Sequence, residues 1–346
     1  MKKRNINIDL IKCIAVFSVI SVHFFLNTNF YNTPVVGNKM YIAVFFRTLF
    51  MICVPLFIIT TGYLMKNKEL NKKYYVKIFR VIIIYLLSGL LYFGYNILYN
   101  GDSLNIKHII RCILSIDFGY NWYIEMYVGL FILIPFLNVL YNNLKNKKQK
   151  KILILTLLIL TSFQGILNAK YIIFPSWWSL IYPLTYYFIG CYLREYKINL
   201  KKVVNVFLFF IAVLVSSLIN IYLSFENDFV WGVHNSWGSI FNVLSSTLIF
   251  IFIINLDLSK IPIRLNKIIS KISELSLGIY LTSAIVDDFL YNHYFDNINF
   301  LSVIDYFKIV PFVFLLSTGL SMIINVLYKI IDKYFIQKVI KCFCKT

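Results

Sequence analysis

Asp9, Lys12 and His23 interrupt the first long apolar stretch of the chain, "NIDLIKCIAVFSVISVHFF" over residues 7–25. On a helix each step turns about 100°. The eleven steps from Lys12 to His23 therefore bring the two side chains almost into line, roughly 16 Å apart. Imidazole takes and returns a proton near neutral pH, which makes His23 a candidate general base. A buried histidine bonded to a neighbouring helix is the plainer alternative. Asp9 lies three residues before Lys12, and this pair reads equally as a structural ion pair or as part of a site.

Other ionisable groups fall inside apolar runs, where they are costly and mark candidate sites. Arg47 stands in "FFRTLFMICVPLFIITTGYL", Glu125 in "NWYIEMYVGLFILIPFLN", and Asp287 and Asp288 in "LGIYLTSAIVDDFLYNH". A cation, an acid and a histidine facing one cleft can deprotonate a hydroxyl and stabilise the charge that develops. For the two aspartates interfacial salt bridging serves as well. Lys77 and Arg80 lie three apart in "KKYYVKIFR", on one face of a helix, and suit the phosphates of a donor as well as setting topology. Aromatic residues crowd the segments around Trp122, Trp177 and Trp178, and "FVWGVHNSWG", which holds Trp231, His234 and Trp237. These read as an interfacial belt or as stacking platforms for sugar rings.

The elements that must position these groups are membrane helices. The chain has 346 residues, 60% of them hydrophobic and only 14% charged. Its apolar runs recur at lengths that cross a hydrocarbon core of about 30 Å. Ten spans are expected: 8–27, 41–65, 77–99, 121–141, 150–169, 176–193, 203–224, 239–256, 273–294 and 308–330. The expected fold is an all-α polytopic bundle forming one membrane-embedded domain over 1–346, with no fused soluble domain. All but six of the 34 Lys and Arg (Lys39, Arg47, Lys107, Arg111, Lys170 and Lys308) lie in the N-terminal segment, the C-terminal segment or alternate loops. Basic loops stay in the cytoplasm, so both termini are expected there. The net charge of +19 is therefore a topology signal and an attraction to anionic membrane lipid rather than a nucleic-acid signal. The six cysteines form no disulfide framework, and no metal site is expected. Cys342 and Cys344 are expected to be plain thiols.

In combination these motifs resemble the acyltransferase-3 family of integral-membrane enzymes. The residues that carry the likeness are Lys12 through His23 with Asp9 before them, "VPLFIITTGYL" (54–64), the pair Lys77 and Arg80, "NWYIEMYVGLFILIPFLN" (121–138) and "SELSLGIYLTSAI" (273–285). The resemblance implies an acyl-CoA donor, with acetyl-CoA expected, entering from the cytoplasm with its phosphates near Lys12, Lys77 and Arg80. It also implies that His23 is the essential base or acyl relay. The acceptor it implies is a hydroxyl of an envelope glycan or a lipid-linked saccharide, in a bacterial cytoplasmic membrane. The chain departs from the pattern where lysines stand for arginines at 12 and 77. Thr282 and Ser283 follow "YL", where a histidine is common.

The expectation is thus a membrane O-acyltransferase with His23, Glu125 and Arg47 as catalytic candidates. Asp9, Lys12, Lys77 and Arg80 are the donor-binding candidates, and Trp122, Trp177, Trp178 and Asp287 those for the acceptor. The alternative is a polysaccharide exporter or transporter without acyl transfer. No inverted repeat or paired broken helices support it.

Overall fold

Asparagine and serine side chains set several helix starts. Asn5, Asn71, Asn146 and Ser239 each accept a backbone N–H from the first turn that follows, satisfying donors that have no partner within the helix. The computed structural model describes residues 4–101, 105–113, 120–168, 171–294 and 302–337. Lys170, Cys342 and Cys344 lie outside them. In chain order the helices begin with α1 (Ile6–Leu26), α2 (Gly37–Phe50), α3 (Cys53–Met65), α4 (Lys72–Tyr75) and α5 (Ile78–Tyr95). They continue with α6 (Ile106–Ile113), α7 (Trp122–Asn143), α8 (Lys147–Thr161), α9 (Gln164–Leu167) and α10 (Tyr182–Glu195). The last are α11 (Lys202–Ser224), α12 (Ile240–Ile254), α13 (Ile263–Tyr294) and α14 (Val303–Ile331). Among the described residues there is no strand, only an isolated bridge from Val35 to Phe225. The chain is an all-α polytopic membrane protein.

Among the described residues, seven helical segments are long and apolar enough to cross a membrane. The other three expected spans fall on α8, α10 and α12, of 15, 14 and 15 residues. The sequence windows were longer because apolar residues run on through the turn at Ser162–Phe163 and through the 3-10 helix Ser176–Ile181. The span expected at 41–65 is interrupted between α2 and α3. Pro55 has no N–H for the carbonyl four residues earlier, and the helix restarts at Cys53 just before it.

Residue contacts group the chain into two compact units. Unit 1 comprises Met1–Asn67, Leu137–Ser273 and Asn297–Ile309; unit 2 comprises Lys68–Phe136, Glu274–Asp296 and Val310–Thr346.

In unit 1, α3 and α10 cross at two glycines. A Cβ on Gly62 would overlap the Tyr187 carbonyl, and one on Gly190 would overlap that of Ile59. Small residues that let backbones meet are how helices associate in lipid, where apolar burial supplies little drive. The "GYL" of the first family landmark is therefore a packing device. On α11 the polarity is reversed relative to a soluble helix. Asn205, Ser216, Ser217, Asn220 and Ser224 are buried, while Phe207, Phe210, Leu214 and Leu218 are exposed. That pattern suits a helix whose outer face meets lipid.

In unit 2, Tyr74 stacks on Phe131 with ring centroids 4.4 Å apart, and its hydroxyl donates to the Phe131 carbonyl at 2.6 Å. A Cβ on Gly278 would strike the Ser321 side chain. Thr282 donates to the Ser317 carbonyl at 2.9 Å, and Ser321 to that of Leu275 at 3.0 Å. The second landmark, "SELSLGIYLTSAI", is thus also helix packing. Thr282, which follows "YL", serves that packing.

Candidate functional site

α1 runs unbroken from Ile6 to Leu26, so the Lys12–His23 stripe survives as read. Lys12 is half-buried, and His23 is buried in the last turn. The carbonyl of His23 accepts both the backbone N–H and the side-chain amide of Asn27, at 3.0 and 2.9 Å, which closes the helix one turn after the histidine. On the same turn Ser21 bonds the Tyr306 hydroxyl at 2.9 Å, and the Phe24 ring lies 5.5 Å from that of Tyr306. The base candidate therefore sits on a rigid, aromatic-walled turn.

At the other end of α1, Asp9 is only 5% exposed. Arg4 grips both its oxygens, Nε at 2.5 Å and Nη2 at 3.1 Å. Ser273 and Ser270 add hydroxyl donors at 2.6 and 3.3 Å. Asp9 makes an ion pair with Arg4, and its bonds from Ser270 and Ser273 tie the N-terminal segment to α13.

Arg47 is the most unusual group in unit 1. Placed in the last turn of α2, it has no exposed surface. Its guanidinium carbon lies 4.4 Å from the Trp231 ring centroid, 4.8 Å from that of Phe229 and 5.9 Å from that of Tyr31. Nε donates to the Tyr31 hydroxyl at 3.2 Å and Nη1 reaches the Asn235 carbonyl at 3.5 Å; Nη2 is buried with no hydrogen-bond partner among the described residues. An aromatic string, Phe25 to Phe30 at 5.3 Å and Phe30 to Tyr31 at 4.9 Å, connects this site to the turn of His23.

Behind Arg47, a polar relay fixes the loop that covers it. Asn220 donates to Thr48 at 3.2 Å and accepts from Asn235 at 3.1 Å. The Asn235 amide also meets the Val230 carbonyl at 2.8 Å and His234 Nε2 at 3.2 Å. Burial first, and then the Arg47 charge, hold this imidazole below its ordinary pKa, in the neutral form.

The expected site residues divide between the units. Asp9, Lys12, His23, Arg47, Trp177 and Trp178 belong to unit 1; Lys77, Arg80, Trp122, Glu125 and Asp287 belong to unit 2. Trp177 and Trp178 are exposed on the 3-10 helix Ser176–Ile181. Lys77 and Arg80 are exposed at the start of α5; Arg80 donates to the Glu274 carbonyl at 3.3 Å and lies over the Tyr328 ring. Glu125 is exposed in the first turn of α7 and accepts the Asn121 amide at 2.9 Å; the Trp122 ring packs edge-on against that of Tyr123. Asp287, read from sequence as close to water, is buried and accepts the Tyr120 hydroxyl at 3.3 Å. The Tyr280 hydroxyl donates to the Tyr120 carbonyl, so α13 holds Tyr120 at both ends.

His234, Asn235, Asn220 and Tyr31 were not singled out as site residues, although they build the surroundings of Arg47. The available signal was a histidine and an asparagine between two tryptophans in "WGVHNSW".

Long helices, lipid-suited outer faces and a histidine and an arginine buried at helix ends define a multi-pass membrane protein built for polar chemistry. The model of the acyltransferase domain of the acyltransferase-3 family matches residues 5–326, through both units, and the chain belongs to that family. It is a membrane acyltransferase. No significant match exists among curated proteins or among solved structures.

Proposed function

We propose that the protein moves an acyl group, with acetyl expected, from cytoplasmic acyl-CoA to a hydroxyl of an envelope glycan or its lipid-linked precursor, at a bacterial cytoplasmic membrane. The observation that carries this reading is the Lys12–His23 stripe on one unbroken helix, in a chain of this family. It separates a cation suited to the donor's phosphates from a buried base by about 16 Å. Unit 2 carries a further basic pair, Lys77 and Arg80, exposed as phosphate contacts should be.

In the chemical step a ring nitrogen of His23 accepts the proton of the acceptor hydroxyl while its oxygen attacks the thioester carbonyl. The tetrahedral intermediate expels the thiolate of CoA as the C–S bond breaks, and the imidazolium returns its proton to that sulfur. Arg47 serves the acceptor or the developing oxyanion. A relay through acyl-histidine is the second route, and it differs by leaving labelled acyl group on the protein.

Replacing His23 with Ala should lower acyl transfer by about 10²- to 10⁴-fold, the range of general-base contributions, while the protein still reaches the membrane. Consumption of labelled acyl-CoA and acylation of the surface glycan are the measurements. Transfer that survives the substitution sinks the mechanism. A wild-type protein that consumes no acyl-CoA sinks the donor assignment.

A further inference from the structure

We propose that Arg47 anchors an anion site in unit 1, walled by Tyr31, Phe229, Trp231 and Asn235, and that this site takes the carboxylate or phosphate of an acidic saccharide. The assignment of that saccharide as acyl acceptor rests on the function proposed above; the site itself does not.

The first reason is an uncompensated charge. Every described neighbour of the guanidinium is neutral: a phenol, a backbone carbonyl, three aromatic faces and the imidazole of His234. Desolvating a cation costs several kcal/mol, and aromatic faces return only about 2 kcal/mol. Two acids, Glu226 and Asp228, lie in the loop that covers Arg47, yet both are exposed and neither pairs with it. A structural arginine would use them. Nη2, buried and without a partner among the described residues, presents two N–H donors of the fork that binds carboxylate and phosphate.

The second reason is a rigid site with one adjustable wall. The loop is pinned by Val230 N–H to Ser224 at 3.0 Å, by Gly232 N–H to Asn235 at 3.1 Å, and by Val35 N–H to the Asn227 carbonyl at 2.9 Å. Such preorganisation lowers the ordering cost of binding. Trp231 is 52% exposed while covering Arg47, and it stacks on Tyr31 with centroids 5.1 Å apart. Movement of this one side chain opens the guanidinium, and the two flat rings offer a sugar an apolar face beside the cation.

The test uses the full chain in detergent micelles, with thermal unfolding followed as glucose, glucuronate or glucose 6-phosphate is added. Ligands that bind only the folded protein raise its Tm. An acidic sugar should stabilise the wild type and glucose should not; the two acidic arms decide between carboxylate and phosphate. Arg47→Met should weaken acidic-sugar binding at least about tenfold, the loss of one charge-assisted contact. Without ligand its Tm should be unchanged or higher, because an unpaired buried charge has gone. Arg47→Lys keeps the charge without the fork and should also bind more weakly. Equal stabilisation by glucose and glucuronate overturns the proposal, as does indifference of the wild type to both acids. If Arg47→Met does not fold, that wild-type contrast decides alone. Acyl-CoA consumption is scored separately: acid binding without acyl transfer sinks the proposed function and leaves the site standing, and the converse does the reverse.

Discussion

Asp9 is held from three directions inside unit 1, by Arg4, Ser270 and Ser273. A carboxylate with those bonds has little left to offer a donor, so its first effect should be on stability. Arg4 is half exposed, which limits the pair to about 1 kcal/mol. Asp9→Asn and Arg4→Ala should each lower the Tm, and the double variant should lower it by less than their sum because they share one interaction. KM for acyl-CoA should stay put; a rise in KM with unchanged stability would return Asp9 to the donor site. The sequence could place Asp9 and Lys12 on a helix but could not name the partner. Arg4 precedes the helix, and the serines come from a segment more than 250 residues away in the chain. His23 was legible for the opposite reason, since helical periodicity alone aligns it with Lys12. The surroundings of Arg47 come from positions 31, 229, 231 and 235, a juxtaposition no local pattern encodes.

Element positions were easier to read than element ends. Each of the ten apolar windows lands on a helix, because apolar content over about 20 residues is a strong signal. What the windows could not show is where a backbone turns while remaining apolar, as at Ser162–Phe163, or where proline forces a restart, as before Pro55. Nor could they say why "TTGYL" and "SLGIYL" contain glycine. The crossing of α3 and α10 supplies the reason for Gly62, and the packing of Gly278 against Ser321 the reason for the other; the first makes a prediction. Gly62→Val or Gly190→Val places methyl groups where a partner carbonyl already sits. Overpacking of this kind costs about 1–3 kcal/mol or more. Both variants should lose Tm and yield in detergent, whereas Gly129→Ala, whose Cβ would meet nothing within 4 Å, should behave as wild type. If Gly190→Val kept full stability, α3 and α10 would not meet in the way described.

At the scale of the whole chain, the three short helices decide the topology. Residues 145–151, 194–202 and 259–271 are all basic, with five, four and four Lys and Arg. Between the first two lie α8 and α10, and between the second and third lie α11 and α12. If α12 stopped short of crossing, the third segment and its four cations would be exported, against the retention of basic loops. The same holds for α8 or α10 alone. Each short helix is therefore expected to cross despite a length of about 22 Å, with a thinned bilayer or its flanking residues making up the difference. Single cysteines in a cysteine-free background test this in intact cells. Lys148→Cys and Lys267→Cys should be shielded from a membrane-impermeant maleimide, while Asp228→Cys, on the loop over Arg47, should be labelled. Labelling of Lys267→Cys would show that α12 does not cross. Labelling of Asp228→Cys would put the Arg47 loop on the face where the proposed glycan acceptor would arrive, opposite the basic loops that the proposed acyl-CoA donor would meet, so that one map of accessibility bears on both ends of the proposed reaction.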